Sequence, residues 1–178
     1  MLAFPSTYTV GITSLGFQIV WSTLAMRSDV DVRRLFTDQG DPAHRHCDLF
    51  GLSLSWELDG PVLLDLLEQQ RIPLWSHART DDHPIVFGGG PVLTANPEPL
   101  APFFDVVLLG DGEDLLPNFI DALQSVKGQP RAEQLQHLAR VPGIYVPELH
   151  APRYAADGTL LGMTPVAVSY THLRAHET

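Results

Sequence analysis

The chain has a single cysteine, Cys47, among its 178 residues. One thiol excludes an internal disulfide, and it excludes an iron–sulfur cluster held by several thiolates of this chain alone. Positive charge is also scarce: 11 Lys and Arg stand against 21 Asp and Glu, for a formal net charge of −10. No local cluster of Lys and Arg offsets that balance, so nucleic acid is not an expected partner. Long apolar runs are missing as well. The opening "MLAFPSTYTVGITSLGFQIV" is broken by Pro5, Gly11 and Gly16 and has no basic start, which fits neither a signal peptide nor a membrane span. The expected location is the cytoplasm, with no membrane partner.

What is present is enough for one packed domain: 44% of the residues are hydrophobic and 18% charged. Tyr8 to Thr13, "YTVGIT", reads as a first buried strand, and Leu15 to Arg27 as a helix with a mostly apolar face. "DVDVRRLFTD" reads as a second strand, Asp48 to Ser55 as a third, and Leu58 to Gln70 as a second helix with Leu63, Leu66 and Leu67 inward. "PIVFGGG" is the fourth strand and "FFDVVLLGDGED" the fifth, which runs into a helix from about Glu113 to Val126. A short helix, "RAEQLQHLAR", and a strand, "GIYVPEL", follow. Strands alternating with helices predict a doubly wound, mostly parallel sheet in a flavodoxin-like or Rossmann-like three-layer α/β/α arrangement.

In such a sheet ligands bind outside the carboxyl ends of the strands. The informative segments are therefore "TSLG", "SLSWE", "GGGP" and "GDGE", each of which follows an expected strand. Three consecutive glycines, Gly88 to Gly90, mean that the backbone must turn there or that something approaches it closely. A flat or bulky cofactor pressing on the sheet edge would account for them. Asn96 to Pro99 follow as a proline-stiffened segment, read either as a rigid loop or as the wall of such a pocket.

Other motifs have simpler readings. "GDGEDL" has the glycine spacing of a dinucleotide loop, but Leu115 replaces the third glycine and Asp111, Glu113 and Asp114 would repel a pyrophosphate. Asp111 as a helix cap, with Glu113 and Asp114 at the positive helix end, is the better reading. "GLSLS" lacks the closing glycine of a nucleophile elbow, so Ser53 is not expected to be catalytic. "HRHC", His44 to Cys47, precedes a strand and reads as a solvated loop, and Asp81 to His83 read as a turn. No catalytic residue and no metal site are predicted. Val168 to Thr178, "VSYTHLRAHET", follows no structural logic and looks like sequencing-adapter read-through on a fragment of a longer gene.

Four stretches carry a resemblance: "FPSTYTVGITSLGFQIVWSTLAMRSDV", "GLSLSWELDGPVLLDLLEQQRIPL", "VFGGGPVLTANPEPLAPFFDVVLLGDGEDLLPNFI" and "VPGIYVPEL". In order and spacing they resemble the N-terminal cobalamin-binding-like domain of a family of radical S-adenosylmethionine (SAM) proteins, over roughly Phe4 to Leu149. The resemblance implies a flavodoxin-like B12-binding fold over residues 1–128 and a connector over 129–167, followed by a radical SAM barrel that is missing here and would be its partner. S-adenosylmethionine and the [4Fe–4S] cluster would belong to that barrel. Cobalamin is the implied cofactor of the domain itself. Its nucleotide tail would lie against Gly88, Gly89 and Gly90, with Pro91 and Asn96 beyond them. Ser53, Leu54 and Ser55, with Glu57, would contact the same tail. Thr13, Ser14, Leu15 and Gly16 would lie under the corrin, and Gly110, Asp111, Gly112 and Glu113 match an element common in such proteins.

The loop "TSLGFQ" departs from the pattern of B12 domains that ligate cobalt, since it has neither the Asp nor the His of D-x-H-x-x-G. A protein imidazole on cobalt is therefore not expected. Two further readings stand beside cobalamin binding: a structural docking module without cofactor, and a flavin or nucleotide binder in the same crevice.

Overall fold

A computed structural model describes residues 1–39 and 47–166. His44 and His46 of the "HRHC" loop, and the adapter-like tail, lie outside the described residues. Six strands form one sheet: β1 (Leu2–Ala3), β2 (Arg34–Leu35), β3 (Leu49–Ser53), β4 (Ile85–Gly89), β5 (Val106–Leu108) and β6 (Ile144–Tyr145). Their order is β2-β1-β3-β4-β5-β6, with every pairing parallel except β5 with β6. The fold is thus doubly wound and three-layered, as the alternation of strands and helices predicts.

The helices are α1 (Tyr8–Gly11), α2 (Leu15–Ala25), α3 (Asp59–Gln69), α4 (Pro91–Ala95), α5 (Gly112–Ser125) and α6 (Arg131–Leu138). Two apolar layers flank the sheet. On one side Ile85, Phe87, Val106 and Leu108 pack with Phe17, Leu24, Leu116, Phe119 and Ile120, and α6 adds Leu135 and Leu138. On the other, Val86 and Val107 pack with Leu63, Leu66, Leu67, Leu93 and Phe104. Successive strand residues point to opposite faces, and both faces are covered, so β4 and β5 are apolar at every position instead of alternating. The helices show the complementary spacing: Leu63, Leu66 and Leu67 on α3, and Leu116, Phe119 and Ile120 on α5, fall three and four residues apart and are buried.

The first strand corrects the sequence-based expectation. "YTVGIT" is not a strand; it contributes α1 and the turn after it, and the strand is Leu2–Ala3. Its two residues are hydrogen-bonded on both sides, to β2 and β3, which gives a very short strand a central place. The start of α1 is secured from a distance, because the Tyr8 amide donates to Asp38 Oδ1 at 2.7 Å.

One buried charge cluster ties the sheet to the segments around it. Asp105 Oδ2 accepts from Arg79 Nη1 at 3.0 Å and from the Val86 amide at 2.7 Å, and Arg131 Nη2 lies 2.6 Å away. Arg79 also donates to the carbonyls of Pro73, Leu74 and Phe103, and Arg131 to those of Thr80, His83 and Pro84. Burial pushes the Arg79 pKa down, against the attraction of Asp105. After β6 the chain forms a separate hairpin, β7 (His150–Tyr154) with β8 (Leu160–Pro165).

Candidate functional site

The chain passes from β1 outward to β2 and then returns across β1 to β3, so strand order reverses between β1 and β3. Crevices at the carboxyl ends of strands next to such a reversal are where doubly wound folds take ligands. A cleft of about 540 Å³ opens there. Its walls come from the start of α2, the end of β3, the turn from β4 into α4, and the segment from β5 into α5.

The structure brings together many, though not all, of the residues singled out from sequence. Ser14 and Gly16, Ser53 and Ser55, Gly89, Gly90 and Pro91, and the run Gly110 to Glu113 all line the cleft. Thr13, Leu15, Leu54, Glu57, Gly88 and Asn96 do not. The Thr13 hydroxyl donates back to the Val10 carbonyl at 2.8 Å, Leu15 is exposed, and Leu54 is buried in the opposite apolar layer. Glu57 is exposed, and Asn96 Oδ1 accepts from the Glu98 amide in a local turn. Because β1 lies earlier than expected, "TSLG" links two helices and Ser14 serves as the N-cap of α2. Ser14 and Gly16 reach the cleft from there.

The three glycines prove to have three different reasons. A Cβ on Gly88 would come within 2.5 Å of Phe104 and 2.6 Å of Leu93, so this glycine makes room for packing behind the sheet. Gly90 has φ +107, and a Cβ there would overlap the Leu54 carbonyl. Only Gly89 is open: a Cβ would find nothing nearer than Leu108 at 3.8 Å, and the residue forms part of the cleft floor. Two of the three are therefore explained by the protein itself, and only Gly89 leaves space over the backbone open to the cleft.

Asp111 also differs from expectation. It occupies the N-cap position of α5 with extended backbone, but its side chain makes no capping hydrogen bond and instead borders the cleft. Glu113, in the first helical turn, borders it too. The other polar side chains of the cleft are the hydroxyls of Ser14, Ser53, Ser55 and Thr94. Thr94 was not anticipated. It stands one turn after Gly90 on the helix that Pro91 begins, and its amide donates to the Gly90 carbonyl at 3.0 Å. That spacing after a glycine–proline helix start was the available signal. The apolar wall, Phe17, Val20, Leu108 and Leu116, could be foreseen as core but not as cleft.

A second cleft of about 890 Å³ lies at the amino ends of the strands, beside Met1, Cys47 and Arg131. Its charged side chains largely serve one another: Lys127 pairs with Asp48 at 3.0 Å, and Asp81 accepts from the Arg131 amide at 2.6 Å. Burial pushes the Cys47 thiol pKa up, which keeps it from being a ready nucleophile. Asp81 to His83 form the expected turn, closed by His83 Nδ1 accepting from the Thr80 amide at 3.0 Å. Among the described residues no group of three or more His, Cys, Asp or Glu is placed to hold a metal ion. No described helix is long and apolar enough to cross a membrane.

Fold and cleft together define a flavodoxin-like α/β module with a crevice at its strand ends. Residues 35–147 match the family described as "Radical SAM proteins, N-terminal", and the chain belongs to that family. The match runs from β2 to just past β6, so most of the sheet and three of the four cleft walls fall within it. No curated protein matches the chain.

Proposed function

We propose that this chain is the N-terminal module of a radical SAM enzyme and that its strand-end cleft accepts cobalamin, which it presents to the catalytic domain of the same protein. The observation that carries this reading is the open floor at Gly89, set between Ser53 on one side and Gly110 to Gly112 on the other. A floor without a side chain suits a flat group laid against the sheet, and small hydroxyls suit the ribose and amide groups of a nucleotide-like tail. When bound, cobalamin would supply a methyl-carrying or electron-carrying centre, and the radical SAM domain would supply S-adenosylmethionine and its iron–sulfur cluster.

The chain's own residues would bind and orient the cofactor. Ser53, Ser55 and Thr94 offer hydrogen bonds, Gly89 offers contact area, and Phe17 and Leu108 keep that side of the cleft apolar. No imidazole lines the cleft, so cobalt would have no histidine ligand from the residues described here. The same observation favours a second reading, in which the module binds no cofactor and only shapes the entrance to the catalytic domain.

Titration of the chain with hydroxocobalamin, followed by its visible spectrum, separates the two. Saturable binding with a base-off spectrum is the expected result. Absence of binding by a chain that shows cooperative unfolding would overturn the cofactor reading in favour of the docking module. A yellow protein with a flavin absorption band would point instead to a flavin.

A further inference from the structure

After β6 the sequence builds an element that takes no part in either apolar layer, the hairpin of β7 and β8. Its turn is specified locally. Gly158 takes φ +85, Asp157 Oδ1 accepts from the Thr159 amide at 2.9 Å, and the Ala155 amide donates to the Thr159 carbonyl at 2.8 Å. Yet none of residues 150–165 is buried. A two-stranded hairpin standing by itself in water is marginally stable at best.

The register sorts its side chains onto two unlike faces, because paired residues share a face and neighbours along a strand alternate. Pro152 opposite Met163, and Tyr154 opposite Leu160 past the bulge, make one face apolar. Ala151 opposite Thr164 and Arg153 opposite Gly162 make the other small and polar. The apolar face starts at His150, whose ring lies 4.9 Å from that of Tyr145 on β6. From there it runs out into water: Tyr154 is 60% exposed and Leu160 52%, with Leu161 beside it at 54%. Arg153 lies on the other face and Asp157 in the turn, so no Asp, Glu, Lys or Arg interrupts the apolar surface.

Area decides between two kinds of occupant. Five residues of strand at about 3.4 Å each, on two strands about 4.8 Å apart, offer a surface on the order of 200 Å². A stable pair of separate molecules needs about 800 Å² from each partner, so a second copy of the chain is a poor match. A domain of the same polypeptide meets no such threshold, because the linkage itself supplies an effective concentration of about millimolar. The position agrees: the matched family is described as the N-terminal part of radical SAM proteins, the match ends at residue 147, and β7 starts at His150.

We propose that the apolar face of the β7–β8 hairpin is a docking surface for the radical SAM domain of the same protein. This inference rests on the reading of the chain as the N-terminal module of such an enzyme, and not on what the cleft binds.

Amide hydrogen exchange over residues 150–165 tests it, measured on this chain alone and on the protein in which the chain is joined to its radical SAM domain. Exchange should be fast in the chain alone and at least about tenfold slower in the joined protein. In the joined protein Leu160→Ser should return exchange towards the fast rate. Tyr154→Leu, which keeps the face apolar, should retain the protection, and so should Arg153→Ser on the other face. The urea midpoint of the chain alone should be the same in all three variants, since the hairpin lies outside the apolar layers. Equal exchange in the two forms would overturn the inference while leaving the radical SAM reading intact. Protection in the chain alone that grows with its concentration, alongside a dimer in sedimentation, would overturn it in favour of a second copy. A joined protein that neither holds an iron–sulfur cluster nor cleaves S-adenosylmethionine would overturn the reading and the inference together.

Discussion

Gly90 and Leu54 meet through backbone alone: the space where a Gly90 side chain would begin is filled by the Leu54 carbonyl. The contact joins the turn after β4 to the segment after β3, the two pieces of chain that frame the cleft. Gly90→Ala must both adopt φ +107 and displace that carbonyl. It should cost about 2 kcal/mol or more in urea unfolding, the range for a non-glycine residue held at such a φ. Gly89→Ala meets no atom closer than 3.8 Å and should change stability far less.

Gly88→Ala tests the opposite face. The added methyl would press on Phe104 and Leu93, both fully buried. Overpacking of this kind costs about 1–3 kcal/mol. The unfolding midpoint should fall while the cleft residues stay in place, so any ligand affinity should persist below the new transition.

Gly89→Val is the complementary change. It should leave the unfolding midpoint nearly where it was but fill the cleft floor, and hydroxocobalamin binding should drop at least about tenfold, the factor that corresponds to 1.4 kcal/mol. Equal affinity in this variant would mean that the ligand does not lie against the strand end.

Arg79→Met leaves Asp105 without one of its two cationic partners in a site where both side chains of the pair are almost fully buried. Removing one partner of such a pair costs about 3–5 kcal/mol. Denaturant unfolding should show this as a large drop in midpoint.

Tyr145 gives a pH-dependent prediction. Its hydroxyl donates to Glu98 Oε1 at 2.8 Å, and burial, then Glu98, raises its pKa above the ordinary value of 10.0. A phenol whose folded pKa is raised contributes stability below the unfolded pKa and loses it as pH climbs past that value. Stability should therefore decline above about pH 10, where an unfolded tyrosine ionises, and Tyr145→Phe should remove that part of the decline. At neutral pH the same substitution should cost about 1 kcal/mol for the lost hydrogen bond.

The parts of the fold that were legible in the sequence are those whose signals are local. β3, β4 and β5 announce themselves as apolar runs, and α3 and α5 by leucine and phenylalanine three and four residues apart. β1 could not be read so easily. Two residues carry no periodicity, and Tyr, Thr, Val and Ile in the following segment favour strands when judged alone. What turns that segment into a helix is partly Asp38, thirty positions away, whose carboxylate takes the Tyr8 amide. The three glycines stand out in the sequence, but the causes at Gly88 and Gly90 do not, because only the packed structure reveals that Phe104 occupies the space over Gly88 and Leu54 the space over Gly90. Asn96 looked like part of a pocket wall, yet its segment serves to place Glu98 against Tyr145.

The cluster at Asp105 has a consequence for how the molecule can come apart. One carboxylate gathers an arginine that precedes β4, the amide of Val86 in β4 and an arginine at the start of α6. The outer layer of the sheet therefore has no independent hinge. Loosening α6 would leave a buried negative charge short of a partner at the root of β5, so the far edge should open only together with the centre. In amide hydrogen exchange, α6 should show protection close to that of the middle strands, unlike a peripheral helix that frays by itself.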